Sequence, residues 1–420
     1  MLIFIFIIAY VLIVFEHNIR LNKSATALAA GVLCWVVYVF GQTDAAAVNE
    51  ILSKHLADIS GIIFFLLGAM TIVELVDAHD GFEVITSRIT TTQKRSLLWI
   101  VGLTTFFLSA ILDNLTATIV MISLLRKLMA KDDDRIYFVS LIVIAANAGG
   151  AWSPIGDITT TMLWIGGQLT PLVLIKNVFI PSLINLFVPL LMLNFKIKGQ
   201  TQKAIEEVHE SRIPSTLFQR NVIFIVGIGA LLFVPVFKAV TQLPPYMGML
   251  LGLAVVWIVS EILHSEKDEL AREPLSVVSA LRKIDTSSIL FFLGILLSIS
   301  ALEASGYLHN MANLLSIYCP NQLLQVSSIG LASAVIDNVP LVAASIGMYP
   351  LTSIASDQSF WLLLAYCAGT GGSILIIGSA AGIAAMGMES ISFFKYLKAV
   401  SGLAILGYIL GIIWFALFSF

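Results

Sequence analysis

Apolar runs of about 20 residues, the length that crosses a ~30 Å hydrocarbon core, recur along the chain between short polar stretches. They fall near residues 1–16, 24–41, 59–78, 96–125, 136–168, 171–194, 221–238, 246–263, 286–304, 322–356, 358–388 and 399–418. Two of them, 96–125 and 322–356, exceed one span and are interrupted by polar residues. Two others, 136–168 and 358–388, are interrupted by glycine clusters. Backbone broken at membrane depth survives only where protein or water satisfies its polar groups. Those four segments are therefore the candidates for a functional site. The first run has no basic stretch before it, since Arg20 and Lys23 follow it, so it reads as a retained span and not as a signal peptide.

The same pattern occurs twice. Asp58-Ile-Ser-Gly-Ile-Ile-Phe64-Phe65 matches Asp285-Thr-Ser-Ser-Ile-Leu-Phe291-Phe292, and Ser109-Ala-Ile-Leu-Asp113-Asn114 matches Ser333-Ala-Val-Ile-Asp337-Asn338. Gly149-Gly150 with Gly156 matches Gly371-Gly372 with Gly378 at the same spacing. If 96–125 and 322–356 are re-entrant hairpins and the other segments cross, one face holds every Lys and Arg except Lys54, Lys176 and Lys238. Such a bias marks the cytoplasmic side. It places the N-terminus outside and the two halves in opposite directions. The expected fold is an all-α polytopic membrane protein of two inverted-topology repeats, each with a re-entrant hairpin and a discontinuous transmembrane helix.

The expected organisation is N-terminal scaffold helices over 1–57, a first repeat over 58–194 and a cytoplasmic linker over 195–220. Scaffold helices of the second half follow over 221–284, then the second repeat over 285–420. Composition agrees: 58% of residues are hydrophobic and 12% charged, against about 25% charged in soluble domains. The net charge of −3 argues for no nucleic-acid partner, and the lipid bilayer is the expected surrounding. Cys34, Cys319 and Cys367 show no metal or redox spacing, so no cofactor is expected.

The chemistry sits at the interruptions. Asp113-Asn114-Leu-Thr116 and Asp337-Asn338 fall where each hairpin turns. A carboxylate at the centre of a membrane helix costs about 2.5–3.5 kcal/mol, so two in matching places call for a function. Capping of half-helices is the plainer alternative, since Asp and Asn are preferred N-caps; both roles can coexist. The first glycine break supplies Asn147, Ser153, Asp157 and Thr159, and the second supplies Ser373 and Ser379 without an acid. A kink alone needs no carboxylate. Hard cations such as sodium take carboxylate, amide and freed carbonyl oxygens, so Asp113, Asn114 and Asp157 are the expected sodium ligands, nearer the first hairpin, with Asp337 assisting. Glu74, Asp77 and Glu303, at segment ends, read equally as a proton path or as interfacial acids. His79 reads as a solvated loop histidine, and Asp132-Asp133-Asp134 as a solvated turn. A carboxyl group taken out of water holds its proton more tightly, so proton and sodium would compete for one group.

At these residues the chain resembles the NhaD-type sodium/proton antiporters of the ion transporter superfamily. The most specific match is Gly149-Gly150-Ala-Trp-Ser153-Pro154-Ile-Gly156-Asp157 followed by Thr159-Thr160-Thr161-Met-Leu-Trp164, and the likeness runs from about residue 59 to the end. The resemblance implies a homodimer in the bacterial cytoplasmic (inner) membrane that exchanges internal sodium or lithium for external protons, not an enzyme. Three other readings compete. A sodium-coupled di- or tricarboxylate carrier would suit neutral hairpin tips, and here both tips are acidic; an arsenite-type carrier would want a thiol in the motifs. A membrane-embedded aspartyl hydrolase would have no use for the reciprocal hairpins.

Overall fold

The computed structural model describes every residue except 15–18, 20, 88, 90, 130–133, 202–215, 390 and 419–420. Most of the expected linker therefore lies outside the described residues, as do Arg20, Arg88, Lys131, Asp132, Asp133, Lys203 and Arg212. Described residues form helices α1 (Leu2–Val14), α2 (Lys23–Phe40), α3 (Ala45–Ala78), α4 (Lys94–Ser109), α5 (Asn114–Leu128), α6 (Arg135–Ala151), α7 (Ile158–Ile165), α8 (Pro171–Lys196) and α9 (Leu217–Thr241). The second half adds α10 (Pro245–Leu263), α11 (Val277–Lys283), α12 (Thr286–Ala304), α13 (Tyr307–Tyr318), α14 (Gln322–Ala332), α15 (Asn338–Met348), α16 (Ser359–Gly371) and α17 (Ala380–Glu389). The last helix is α18 (Phe393–Phe418), with a π turn over Leu397–Ser401. Among them, seven are long and apolar enough to cross a membrane. All-helical, multi-pass architecture is thus present.

The order of elements repeats. Each half runs from a long helix (α3 or α12) to a helix–turn–helix (α4–α5 or α14–α15). A broken helix (α6–α7 or α16–α17) and a long closing helix (α8 or α18) follow. Nearly every residue of α6 and α16 is buried, the mark of helices enclosed on all sides. They pack on each other at the centre, and the helix–turn–helix of each half packs on its own broken helix. At the periphery α9 and α10 leave Ile225, Phe233, Ile258 and Ile262 exposed, an apolar outer surface.

Four features depart from the sequence pattern. Helix α3 is 34 residues long and begins ahead of the expected span, so the boundary read at residues 57 and 58 falls inside it. Its extra turns contain no proline or glycine, and the Asp44 carboxylate caps them by accepting from the amides of Ala46 and Ala47 at 2.8 and 3.2 Å. Helix α15 stops at Met348, short of residue 356, because Tyr349 precedes Pro350 and is pushed out of helical geometry. His79 is fully buried and not solvated. Its Nε2 lies 2.8 Å from Nε2 of His264, at the ends of α3 and α10. Asp134, from the acidic run, pairs with Lys94 at 2.7 Å.

Candidate cation site

Two serine stitches set the frame. The Ser109 hydroxyl donates to the Ala146 carbonyl at 2.6 Å, and Ser333 donates to Ala368 at 2.9 Å. Each thereby fixes the turn of a helix–turn–helix against its own broken helix, using a carbonyl on α6 or α16. Glycine permits the approach. A Cβ on Gly156 would meet the Ser109 carbonyl at 2.4 Å, and one on Gly378 would meet the Ser333 carbonyl at 2.6 Å. Only backbone without a side chain passes there.

These constraints bring the starts of four half-helices together. Asp157 is the N-cap of α7 and is 2% exposed. Its Oδ1 accepts from the Thr159 amide and hydroxyl, both at 2.8 Å. Its Oδ2 accepts from Asn114 Nδ2 at 3.0 Å, from the start of α5, and from Asn338 Nδ2 at 3.2 Å, from the start of α15. Asn114 Nδ2 also donates to Asn147 Oδ1 at 3.1 Å, and Asn147 Nδ2 donates to Ser379 Oγ at 2.9 Å, just before α17. The polar chain therefore runs from one half of the protein to the other. Helix N-termini carry partial positive charge, which suits a carboxylate in their midst.

The two hairpin-tip acids hold a different position. Asp113 caps α5, its carboxylate accepting from the Thr116 amide at 2.9 Å and the Thr116 hydroxyl at 2.6 Å. Asp337 caps α15 through the Val339 amide at 3.4 Å. Both lie within electrostatic reach of Asp157 and are less enclosed than it. The capping role is thus present at both tips, alongside any role in ion binding. Asn338 brings the second hairpin onto the same carboxylate as the first, so the cluster lies between the tips and not beside the first alone.

Other candidates have partners different from those of the Asp157 carboxylate. Ser153 donates to the Ala110 carbonyl at 2.5 Å and closes the turn before Asp113. Ser373 donates to Thr370, and its own carbonyl accepts from the Tyr396 hydroxyl at 2.6 Å. Glu74 reaches Lys283 at 3.8 Å. Asp77 accepts the Asp80 amide through its carbonyl where the chain leaves α3. Glu303 lies against Gly347, where an added Cβ would meet its carboxylate at 3.1 Å. Ser109 and Ser333 carry no role in the sequence reading although both belong to the repeated motif. Their recurrence four residues before each Asp was the available signal.

A buried carboxylate ringed by amides and hydroxyls, where helices of a multi-pass protein break, defines an ion-carrying membrane transporter. Comparison with known proteins agrees. The family model described as Citrate transporter matches residues 10–363. Sodium/proton antiporter 1 of Arabidopsis thaliana is 52% identical over 97% of this chain and 70% of its own length. Sodium/proton antiporter 2 of the same plant is 48% identical over 97% of both chains. Na(+)/H(+) antiporter NhaD of Vibrio cholerae is 33% identical over 97% of this chain and 89% of its own. The chain belongs to this family, as a member of its NhaD-type sodium/proton antiporter group.

Proposed function

We propose that the protein exchanges sodium, and lithium, for protons, with Asp157 as the group that holds one or the other. The convergence of Asn114 and Asn338, from the two halves, on this single carboxylate carries the reading. In the arrangement described, amide N–H groups satisfy Asp157. When sodium enters, the Asn114 and Asn338 carboxamides turn to present Oδ1, and Thr159 Oγ1 and the Asp157 carboxylate complete an oxygen shell suited to a hard cation. When sodium leaves, a proton on Asp157 replaces its charge. Because the two bind in competition, opening the site alternately to each side gives exchange without a separate coupling device.

The assignment of Asp113 and Asp337 is electrostatic: held on the half-helix caps, they make the approach to Asp157 attractive to cations. Inverted topology and re-entrant hairpins belong to this proposal, supported by the repeated motifs, the paired serine stitches and the basic-residue bias. So does a dimer, with the multi-pass chain residing in the bacterial cytoplasmic membrane, although two of its relatives are plant proteins. Carboxylate transport is the second reading, raised by the family's description, and the acids Asp113, Asp157 and Asp337 would repel a tricarboxylate.

The test is sodium-driven proton movement in vesicles, with citrate and succinate uptake measured in parallel. Asp157→Asn is expected to abolish exchange, and wild-type vesicles are expected to take up neither acid. Normal exchange by Asp157→Asn, or citrate uptake coupled to sodium, would overturn the reading.

A further inference from the structure

Remote from Asp157, the far ends of α5 and α17 meet in a cluster of three charges. Glu389, the last residue of α17, has a side chain 6% exposed. Its Oε1 accepts from Arg126 Nε at 2.7 Å and from an Arg135 guanidinium nitrogen at 2.8 Å, while Arg135 Nε lies 2.8 Å from Oε2. Arg126 is in the last turn of α5, and Arg135 opens α6 with its side chain 9% exposed. Arg126 also donates to the Met388 carbonyl, and Arg135 to the Met129 carbonyl at 2.9 Å.

Helices α5 and α17 pack side by side and both start at the Asp157 cluster. Asn114 lies 12 residues, about 18 Å at 1.5 Å per residue, from Arg126, and Ala380 lies 9 residues, about 14 Å, from Glu389. Two short rods that are packed together and pinned at one end cannot slide past each other at the other. A slip of α17 would carry Ser379 away from Asn147, and through Asn147 disturb Asn114, a donor to Asp157. Oε1 accepts from both arginines and Oε2 faces Arg135 Nε, so a carboxamide of the same shape would leave one guanidinium facing an N–H.

We propose that Glu389 is a positioning residue for cation exchange: with Arg126 and Arg135 it fixes the register of the second half's α17 against the first half's α5 and α6. It thereby sets how closely the amide cluster fits the ion. The inference rests on Asp157 being the exchange site. It concerns sodium affinity, not the chemistry of proton transfer.

The experiment measures apparent KM for sodium and maximal rate of proton release in vesicles, with the amount of folded protein quantified. Glu389→Gln should raise KM about five-fold or more while the maximal rate stays within about two-fold. Arg126→Gln alone should raise KM in the same direction, and adding it to Glu389→Gln should change KM by less than about two-fold further, because both changes break one cluster. A KM unchanged in Glu389→Gln, or effects of Arg126→Gln and Glu389→Gln on KM that simply multiply, or equal loss in KM and rate, overturns the proposal. Should Glu389→Gln fail to accumulate, Arg126→Gln, whose side chain is 46% exposed, is read by the same criteria. Asp157→Asn is assayed alongside. Its inertness with a normal Glu389→Gln overturns this inference alone, and its normal exchange overturns the site assignment beneath it.

Discussion

At the residue scale, hydrogen bonding decides the state of the two buried histidines. His79 Nδ1 lies 2.7 Å from the Leu75 carbonyl, which can only accept, so that nitrogen carries the hydrogen and Nε2 is bare. His264 must then donate through Nε2, leaving its own Nδ1 bare and, among the described residues, without a partner. The pair is neutral. Burial, then the nearby Lys267 and then His79, pushes His264 down to about 4 from 6.5. The unfolded chain therefore binds the proton that the folded chain refuses. Stability from this pair is complete above about pH 6.5 and is lost as pH falls toward 4. Thermal melts in detergent should show a steeper fall over that range for wild type than for His264→Gln, and parallel curves would refute the assignment. Sequence reading placed His79 in a solvated loop because its neighbours are polar. Its partner lies 185 residues away, a distance no local pattern spans. Asp157 was legible for the opposite reason: a carboxylate inside an apolar, glycine-broken run is conspicuous without knowledge of what surrounds it.

At the element scale, small residues decide which helices can touch. Helices α2 and α12 cross where Gly31 faces the Gly294 carbonyl, and a Cβ on Gly294 would lie 2.3 Å from the Ala27 carbonyl carbon. Lipid chains are as apolar as leucine, so such close backbone contact is a chief source of helix association in a bilayer. Gly294→Ala is expected to cost about 1–3 kcal/mol through forced separation, read as a lowered Tm in detergent. Gly229→Ala on α9, where an added Cβ would have nothing within 4 Å, should be neutral or stabilising and serves as the control. Most span boundaries were legible from hydropathy to within a turn or so. Others were not: α3 extends because its leading residues are ordinary helix formers, α15 stops at Met348 and not at residue 356, α18 begins at Phe393 and not at residue 399, and α13 is too polar to register as a span. The Arg126–Glu389–Arg135 cluster was illegible because its members read as separate loop charges until the fold placed them together.

At the scale of the whole molecule, the repeat and its imperfection have different consequences. Repetition supplies two serine stitches, two glycine crossings and two capped half-helix pairs; the glycine breaks and the Asp caps were expected from the motifs, and the serines recur in them without an assigned role. The contact of Asn338 with Asp157 was not, because it joins residues 181 apart across the two halves. Alignment on Gly156 and Gly378 makes Ser379 the counterpart of Asp157. One position holds an ionisable carboxyl group, and its twin holds a hydroxyl bound to Asn147. With Asp157 as the proposed exchange group, a lone carboxyl group at this pair of positions suits one monovalent ion or one proton at a time. Ser379→Asp would put a second acid at the twin position and offer a doubly charged cage of oxygens. Calcium should then inhibit sodium-dependent proton movement in this variant at concentrations the wild type ignores, and equal calcium sensitivity of the two proteins would count against it. A second acid at the twin position is thus the change expected to open the proposed site to ions of double charge.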